Sequence, residues 1–170
     1  MKNNNIINIK HFYVPCGEMI LGSFDGKLCL CDWADGRRRA SVDRRLKRSL
    51  QAEYVEGSSD VLEKARQQLD EYFLNKRREF DIPLLFVGTD FQKKVWNELL
   101  NIPYGTTISY GELAQRIGMP KSVRAVANAN AVNAISIIAP CHRVIGSDGK
   151  LTGYGGGLER KRLLLELEIR

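Results

Sequence analysis

The first third of this chain is β-rich, and beyond a connector the pattern becomes helical from Phe91 onward; that division limits the fold more than any other feature. Runs over Glu18–Phe24 and Lys27–Trp33 are joined by Asp25-Gly26, a pair that accepts positive φ at both positions and so favours a two-residue hairpin. Cys29 and Cys31, two apart, are expected on one face of the second strand. Residues 37–48 are basic and read as a solvated helix or loop. Asp60–Phe73 has helical spacing, with Val61, Leu62, Ala65, Leu69, Tyr72 and Phe73 in one stripe and Ser58 or Ser59 as cap. Phe80–Gly88, with Pro83 inside it, reads as an extended connector.

Beyond the connector the spacing is helical. Phe91, Val95, Trp96 and Leu99 share a face, and Pro103-Tyr104-Gly105 ends that unit. Ser109 and Glu112 form the pattern of a capping box, followed by a stripe of Leu113, Ala114 and Ile117. Gly118-Met119-Pro120 breaks the chain before an alanine-rich stretch, Lys121–Val132. Two short helices around a glycine-containing turn are a helix-turn-helix candidate, although plain bundles contain similar pairs. Ser136–Ala139 reads as a short buried strand, Ser147–Lys150 as a turn, Gly153–Gly157 as a flexible loop and Leu158–Glu168 as the last helix. The expected architecture is an α/β domain over residues 1–86, with a small antiparallel sheet plus helix, and a mainly helical domain over 87–170.

Composition narrows the function classes. With 44% apolar and 27% charged residues, a chain of 170 can bury a core and is neither disordered nor fibrous. No apolar run is long enough to span a bilayer, and Met1–Asn5 leads into no continuous apolar segment, so a cytoplasmic protein is expected. A net charge of +6 permits a polyanionic partner without requiring one. Four cysteines are too few for a disulfide scaffold, which leaves free thiols and room for a reactive one.

Cys141 is the best nucleophile candidate. It follows the expected strand, precedes the glycine-rich loop, and is flanked by His142 and Arg143, whose positive character would favour thiolate. The plainer reading is a buried structural cysteine. Strand neighbours face opposite ways, so a Cys141–His142 pair needs a bend or a bridging water. Lys161, Leu164, Leu165 and Glu168 lie on one helical face, which puts Glu168 at the end of a buried stripe and in need of a partner; His142 is a reasonable one. Glu166 points away, and Glu168 could instead fray into water near the end of the sequence. Asn133 suits an Asx turn. The Gly153–Gly157 loop lacks the Lys-Ser/Thr of a phosphate loop, so its glycines serve close backbone approach. His11, Cys16, Cys29 and Cys31 match no standard zinc spacing.

Pro140-Cys141-His142-Arg143-Val144, followed by Gly153-Tyr154-Gly155-Gly156, resembles the active-site signature of the O6-alkylguanine-DNA alkyltransferases, also called methylated-DNA–protein-cysteine methyltransferases. The resemblance extends over Phe91–Glu168 in order and spacing, while the N-terminal part is similar only in general character. It implies a ribonuclease H-like N-terminal domain ahead of a helix-turn-helix DNA-binding domain. It further implies that Cys141 takes the alkyl group from O6 of guanine, or less efficiently from O4 of thymine, in one irreversible turnover. His142 would act as base through water, Glu168 would orient it, and Asn133 would hold the turn. Tyr110 would lie near the flipped nucleotide and Arg124 would enter the duplex in its place, with Ser109 and Lys121 beside them on the DNA side. Tyr154, Lys161 and the backbone at Val144 and Gly155 would line the base pocket. The implied partner is double-stranded DNA carrying O6-alkylguanine, bound by a monomer with no cofactor and no metal. Gly155 stands where some members carry serine, and the zinc ligands of some eukaryotic relatives are not recognisable here.

Three other readings remain at this level. A non-catalytic lesion sensor on the same scaffold would lack transfer, and the presence of Cys141 weighs against it. A thiol hydrolase would need a separate, well-placed histidine, and the only other one is His11. A transcriptional regulator would need an operator and a dimerisation element.

Overall fold

Asp25 and Gly26 both take positive φ, 51° and 75°, and turn the chain between two antiparallel strands as their residue types predict. The computed structural model describes residues 5–170. Three strands come first: β1 (Asn5–Val14), β2 (Gly17–Phe24) and β3 (Lys27–Trp33). Helix α1 (Arg39–Leu50), strand β4 (Ala52–Glu56) and helix α2 (Asp60–Phe73) follow. The sheet order is β3-β2-β1-β4. The first three strands are antiparallel as expected, and β4 adds a parallel pair with β1.

The two sheet faces are covered by different helices. Val42 and Leu46 of α1 pack with Ile7, Leu30 and Ala52. Leu62, Ala65 and Leu69 of α2 pack with Phe12, Met19, Leu21 and Leu28. Ser59 caps α2 by accepting from Leu62 N at 3.4 Å. The expectation that Cys29 and Cys31 share a face is corrected. Ser23 pairs with Leu28 and Gly22 with Leu30, so Cys29 is the extra residue of a β-bulge. The bulge breaks the two-residue period: Cys29 joins the α1 side and Cys31 the α2 side.

The second half holds α3 (Asp90–Leu99), the short strand β5 (Ile108–Ser109), α4 (Tyr110–Arg116), α5 (Val123–Ala131), a 3-10 turn at Cys141–Arg143, β6 (Val144–Ile145) and α6 (Leu158–Glu168). A full capping box opens α3, where Thr89 and Gln92 satisfy each other's backbone amides. The one expected at Ser109 is half formed. Ser109 Oγ accepts from Glu112 N at 3.0 Å, but the Glu112 carboxylate accepts from Arg116 instead. Gly118, at φ 75°, turns the chain between α4 and α5. Among the described residues, no helix is long and apolar enough to cross a membrane.

The two halves share one core, and the outer edge of β3 is where they join. Leu28 pairs with Pro83 and Leu85 of the connector. Cys31 N donates to Ala134 O at 2.8 Å and Cys31 O accepts from Ser136 N at 2.7 Å. An otherwise open sheet edge therefore ends on the segment that leads into Cys141.

Candidate active site

The segment from Ser136 to Ala139 is a wound turn, not the strand its β-branched residues suggest. Ile138 N donates to Ser136 O, Ala139 N to Ile135 O and Cys141 N to Ala139 O. Ile137 sits at φ 70°, a conformation that is costly for a β-branched residue and persists only where its surroundings impose it. Asn133 supplies part of that constraint. Its Oδ1 accepts from Ile135 N at 3.0 Å, the expected Asx turn, and its Nδ2 donates to Ile135 O and Ala139 O. The β3 ladder and the buried Ile137 side chain hold the rest.

The turn delivers Cys141 and His142 as consecutive residues of a 3-10 helix, so strand alternation does not apply to them. Both are buried. His142 Nε2 lies 2.7 Å from Glu168 Oε2, so α6 brings its terminal carboxylate to the histidine as its spacing predicts. Leu164 of that stripe is fully buried and Leu165 only half-buried. His142 Nδ1 is buried and has no hydrogen-bond partner among the described residues.

Glu168 gathers more than His142. Arg143 Nε donates to its Oε1 at 2.8 Å and Nη2 to its Oε2 at 3.0 Å, while Nη1 reaches Ile102 O at 2.7 Å. The Tyr72 hydroxyl donates to Oε2 at 2.7 Å. Burial alone would raise the Glu168 carboxyl, but the hydrogen bonds and charges of His142 and Arg143 outweigh it and hold the group well below its ordinary range. Burial is also the main reason His142 is held below its ordinary value. The cysteine departs from expectation. Burial pushes the Cys141 thiol up to about 11, despite opposing contributions from Asn133 and Lys161. The flanking cations do not make a resting thiolate, because Arg143 is neutralised by Glu168 and His142 is kept uncharged.

Behind the site Lys161 is fully buried, and its Nζ donates to Val144 O at 2.6 Å and Thr152 O at 2.8 Å. It braces β6 and the glycine-rich loop. Tyr110 donates to Thr152 O at 3.0 Å, and Tyr154 accepts from Trp33 Nε1 at 3.0 Å. Tyr154, Gly155, Asn130 and Asp32 line a cavity at Cys141 of about 10 Å³, room for one water-sized body. A separate cavity of about 690 Å³, lined by Phe86, Tyr104, Ile138, Pro140 and Arg143, does not include Cys141.

Lys121 and Arg124 stand exposed on the α4–α5 unit, while Ser109 caps α4 and pairs with Ile145 of β6, next to the cysteine turn. The basic stretch of residues 37–48 is less solvated than expected. Arg39 pairs with Asp32 and Asp43, and Arg45 donates to Val132 O at 3.0 Å while lying over the Trp96 ring. The four zinc candidates are not brought together: His11 pairs with Glu18, and Cys29 and Cys31 lie on opposite faces. Tyr72, Trp33, Asp32 and Asn130 were not singled out from sequence. Tyr72 read only as core, and its partner is 96 residues away, so no local pattern marks it.

The comparisons with known proteins follow the same order along the chain. Residues 14–86 match the family described as 6-O-methylguanine DNA methyltransferase, ribonuclease-like domain, and residues 90–170 match its DNA binding domain. A methylated-DNA–protein-cysteine methyltransferase of Mycobacterium tuberculosis is 62% identical over 104 residues, covering 61% of this chain and 63% of that protein. The match thus spans less than two thirds of that relative's length. One from Methanosarcina barkeri is 46% identical over 154 residues, 91% of this chain and 92% of that protein. The crystal structure of the M. tuberculosis O6-methylguanine methyltransferase superposes with a TM-score of 0.80 at 42% identity, covering 96% of this chain and 93% of that one. A structure of M. tuberculosis OGT in complex with DNA gives 0.82 at 42% identity, covering 95% and 92%. With both halves matched in order and one relative aligned almost end to end, the chain belongs to the 6-O-methylguanine DNA methyltransferase family.

Proposed function

We propose that the protein repairs alkylated DNA by moving a methyl or other alkyl group from O6 of guanine, and less efficiently O4 of thymine, onto its own Cys141. The observation that carries this reading is the buried line of groups from Cys141 through His142 to Glu168, with His142 Nδ1 unpartnered among the described residues beside the cysteine turn.

A guanine inside a duplex hides its O6 atom, so the nucleotide leaves the stack first, at a cost of a few kcal/mol. The α4–α5 unit is the DNA-binding surface. Exposed Arg124, the second residue of α5, fills the gap left by the base, and Ser109 and Lys121 contact phosphates. The cavity at Cys141 is too small for a purine, so the Gly153–Gly157 loop shifts to admit it.

In the pocket the Cys141 proton passes through a water to His142 Nδ1, and Glu168 stabilises the imidazolium through Nε2. The thiolate sulfur attacks the alkyl carbon. The C–O6 bond breaks with its electrons moving to the guanine, the Tyr110 hydroxyl donates a proton to the leaving base, and the proton held on His142 returns through water to Tyr110. The product is a thioether at Cys141. Nothing in the reaction restores the thiol, so each chain acts once, with no S-adenosylmethionine and no metal in the chemistry. Residues 1–86 and 87–170 work as two units, the first bracing the turn and the second binding DNA. The protein acts as a monomer, in the cytoplasmic compartment where DNA lies.

Intact-mass analysis tests this directly, after mixing equimolar protein with a duplex carrying one O6-methylguanine. The expected result is a gain of one methylene on the peptide containing Cys141, capped at one per chain and absent in Cys141→Ala. Lesion-selective binding without a mass change would replace this reading with a sensor.

A further inference from the structure

Helix α5 ends beneath the Cys141 turn, and its last buried polar residue is Asn130, only 2% exposed. Asn130 Nδ2 donates to the Cys141 carbonyl oxygen at 3.3 Å. A carbonyl accepts and never donates, so this contact fixes the orientation of the amide. The Asn130 Oδ1 atom is buried and has no hydrogen-bond partner among the described residues. Native structures rarely leave a buried acceptor empty, and those that do call for a reason. Asn130 lines the small cavity that also holds Cys141, Tyr154 and Gly155, which is where a substrate must arrive.

The chemistry of the base supplies the missing donor. The Watson–Crick edge of guanine carries O6 and the 2-amino group on either side of N1. Asn130 lines the same cavity as Cys141 and is anchored on its carbonyl, so a base whose O6-alkyl carbon meets the Cys141 sulfur presents the rest of its Watson–Crick edge to that amide. We infer that Asn130 is a specificity-determining residue whose Oδ1 accepts a hydrogen bond from the 2-amino group of the flipped O6-alkylguanine. This rests on the alkyl-transfer reading above and extends it. A thymine alkylated at O4 presents its O2 carbonyl at the corresponding place, so two acceptors face each other. The amide therefore favours guanine lesions over thymine lesions.

The test compares single-turnover rates of Cys141 methylation from three duplexes, containing O6-methylguanine, O6-methylhypoxanthine and O4-methylthymine. O6-methylhypoxanthine differs from the first only by lacking the amino group. The wild-type protein should react with it about tenfold more slowly or worse. Asn130→Leu should slow the guanine substrate selectively and bring the two purine rates to within about twofold. Asn130→Ala repeats the comparison with a smaller side chain, and thermal unfolding checks that both variants fold. Equal wild-type rates on the two purines would overturn the inference. So would variants that slow both purines alike, because Asn130 would then only support the turn. If wild-type protein transfers from none of the duplexes, the alkyl-transfer reading itself fails, which is a separate result.

Discussion

The Tyr72 hydroxyl and the Glu168 carboxylate meet at 2.7 Å, and the two residues come from opposite halves of the chain. Tyr72 is fully buried on α2, and Glu168 ends α6. Burial first, and then the facing carboxylate, push the Tyr72 phenol well above its ordinary value, so it stays a donor at every working pH. The N-terminal half thereby holds the same oxygen that His142 uses.

Tyr72→Phe removes that donor while leaving the ring and its packing on Phe73 and Tyr104. Glu168 keeps Arg143 and His142, so the fold survives. The expected loss is about 1–2 kcal/mol of stability, the cost of one buried hydrogen bond to a charged group. Transfer to Cys141 should slow several-fold with DNA affinity unchanged. Urea unfolding and single-turnover kinetics read the two effects. A variant with wild-type stability and rate would mean that the cross-domain bond does not position Glu168.

Acid should weaken the protein in two stages. His142 is held below 6.5 and Glu168 below 4.5, so at these two groups the unfolded chain binds more protons than the folded one, while Asp32, raised to about 6 by burial, acts in the opposite sense between about 6 and 3.9 and offsets part of the loss. Stability is then lost as pH falls, first below about 6.5 and again below about 4.3. The melting temperature should decline as pH falls below 6.5. Glu168→Gln leaves Arg143 buried without its partner, costs about 3–5 kcal/mol at neutral pH, and removes the lower stage. The transfer rate should also fall in acid as His142 gains a proton. Between pH 7 and 9 it should hold a plateau, since the Cys141 thiol, pushed up to about 11, loses its proton only through the relay. A rate that climbs steadily across that range would exclude the relay.

Local patterns read through to structure where one segment carries its own partners. The α2 stripe, the Asp25-Gly26 turn and the α6 face that delivers Glu168 all belong to this class. Strand β4 was invisible because a short half-exposed strand of Ala52–Glu56 has little apolar period. The turn at Ser136–Ala139 misled because β-branched residues favour strands in general. Here Asn133 and the edge of β3 override that preference. Tyr72 and Asn130 were legible only as buried or small-helix positions, since what sets them apart is a partner, or an unpaired atom, far along the chain.

The glycine-rich loop makes a sharper prediction from two neighbours. A Cβ on Gly155 would meet only Ala131 O, at an ordinary 3.6 Å. One on Gly156 would come within 2.4 Å of Trp33 Cδ1. Trp33 cannot retreat, because it is fully buried, lies under the Arg160 guanidinium, and donates to Tyr154. Gly155→Ala should therefore react at nearly the wild-type rate. Gly156→Ala should displace the loop, break the Trp33–Tyr154 bond and slow transfer about tenfold or more. Equal rates for the two variants would show that the loop does not depend on its seat against Trp33.

Arg45 links α1 to the DNA-facing half. Its guanidinium lies 5.0 Å from the Trp96 ring centroid, and Nη2 donates to Val132 O, the carbonyl that closes α5. A cation at a helix C-terminus is favourable, and this helix carries Arg124 at its other end. Set against that gain, Arg45 Nε is buried without a partner among the described residues, which offsets part of the benefit. Arg45→Met keeps an apolar stem over Trp96 and loses the charge and the hydrogen bond. The net loss should be about 1 kcal/mol, or roughly 2–4 °C in melting temperature. Because α5 then loses its anchor to the sheet domain, affinity for duplex DNA should fall about two- to fivefold, with the salt dependence of binding unchanged since no phosphate contact is removed. A shallower salt slope would instead show that Arg45 itself reaches the DNA backbone.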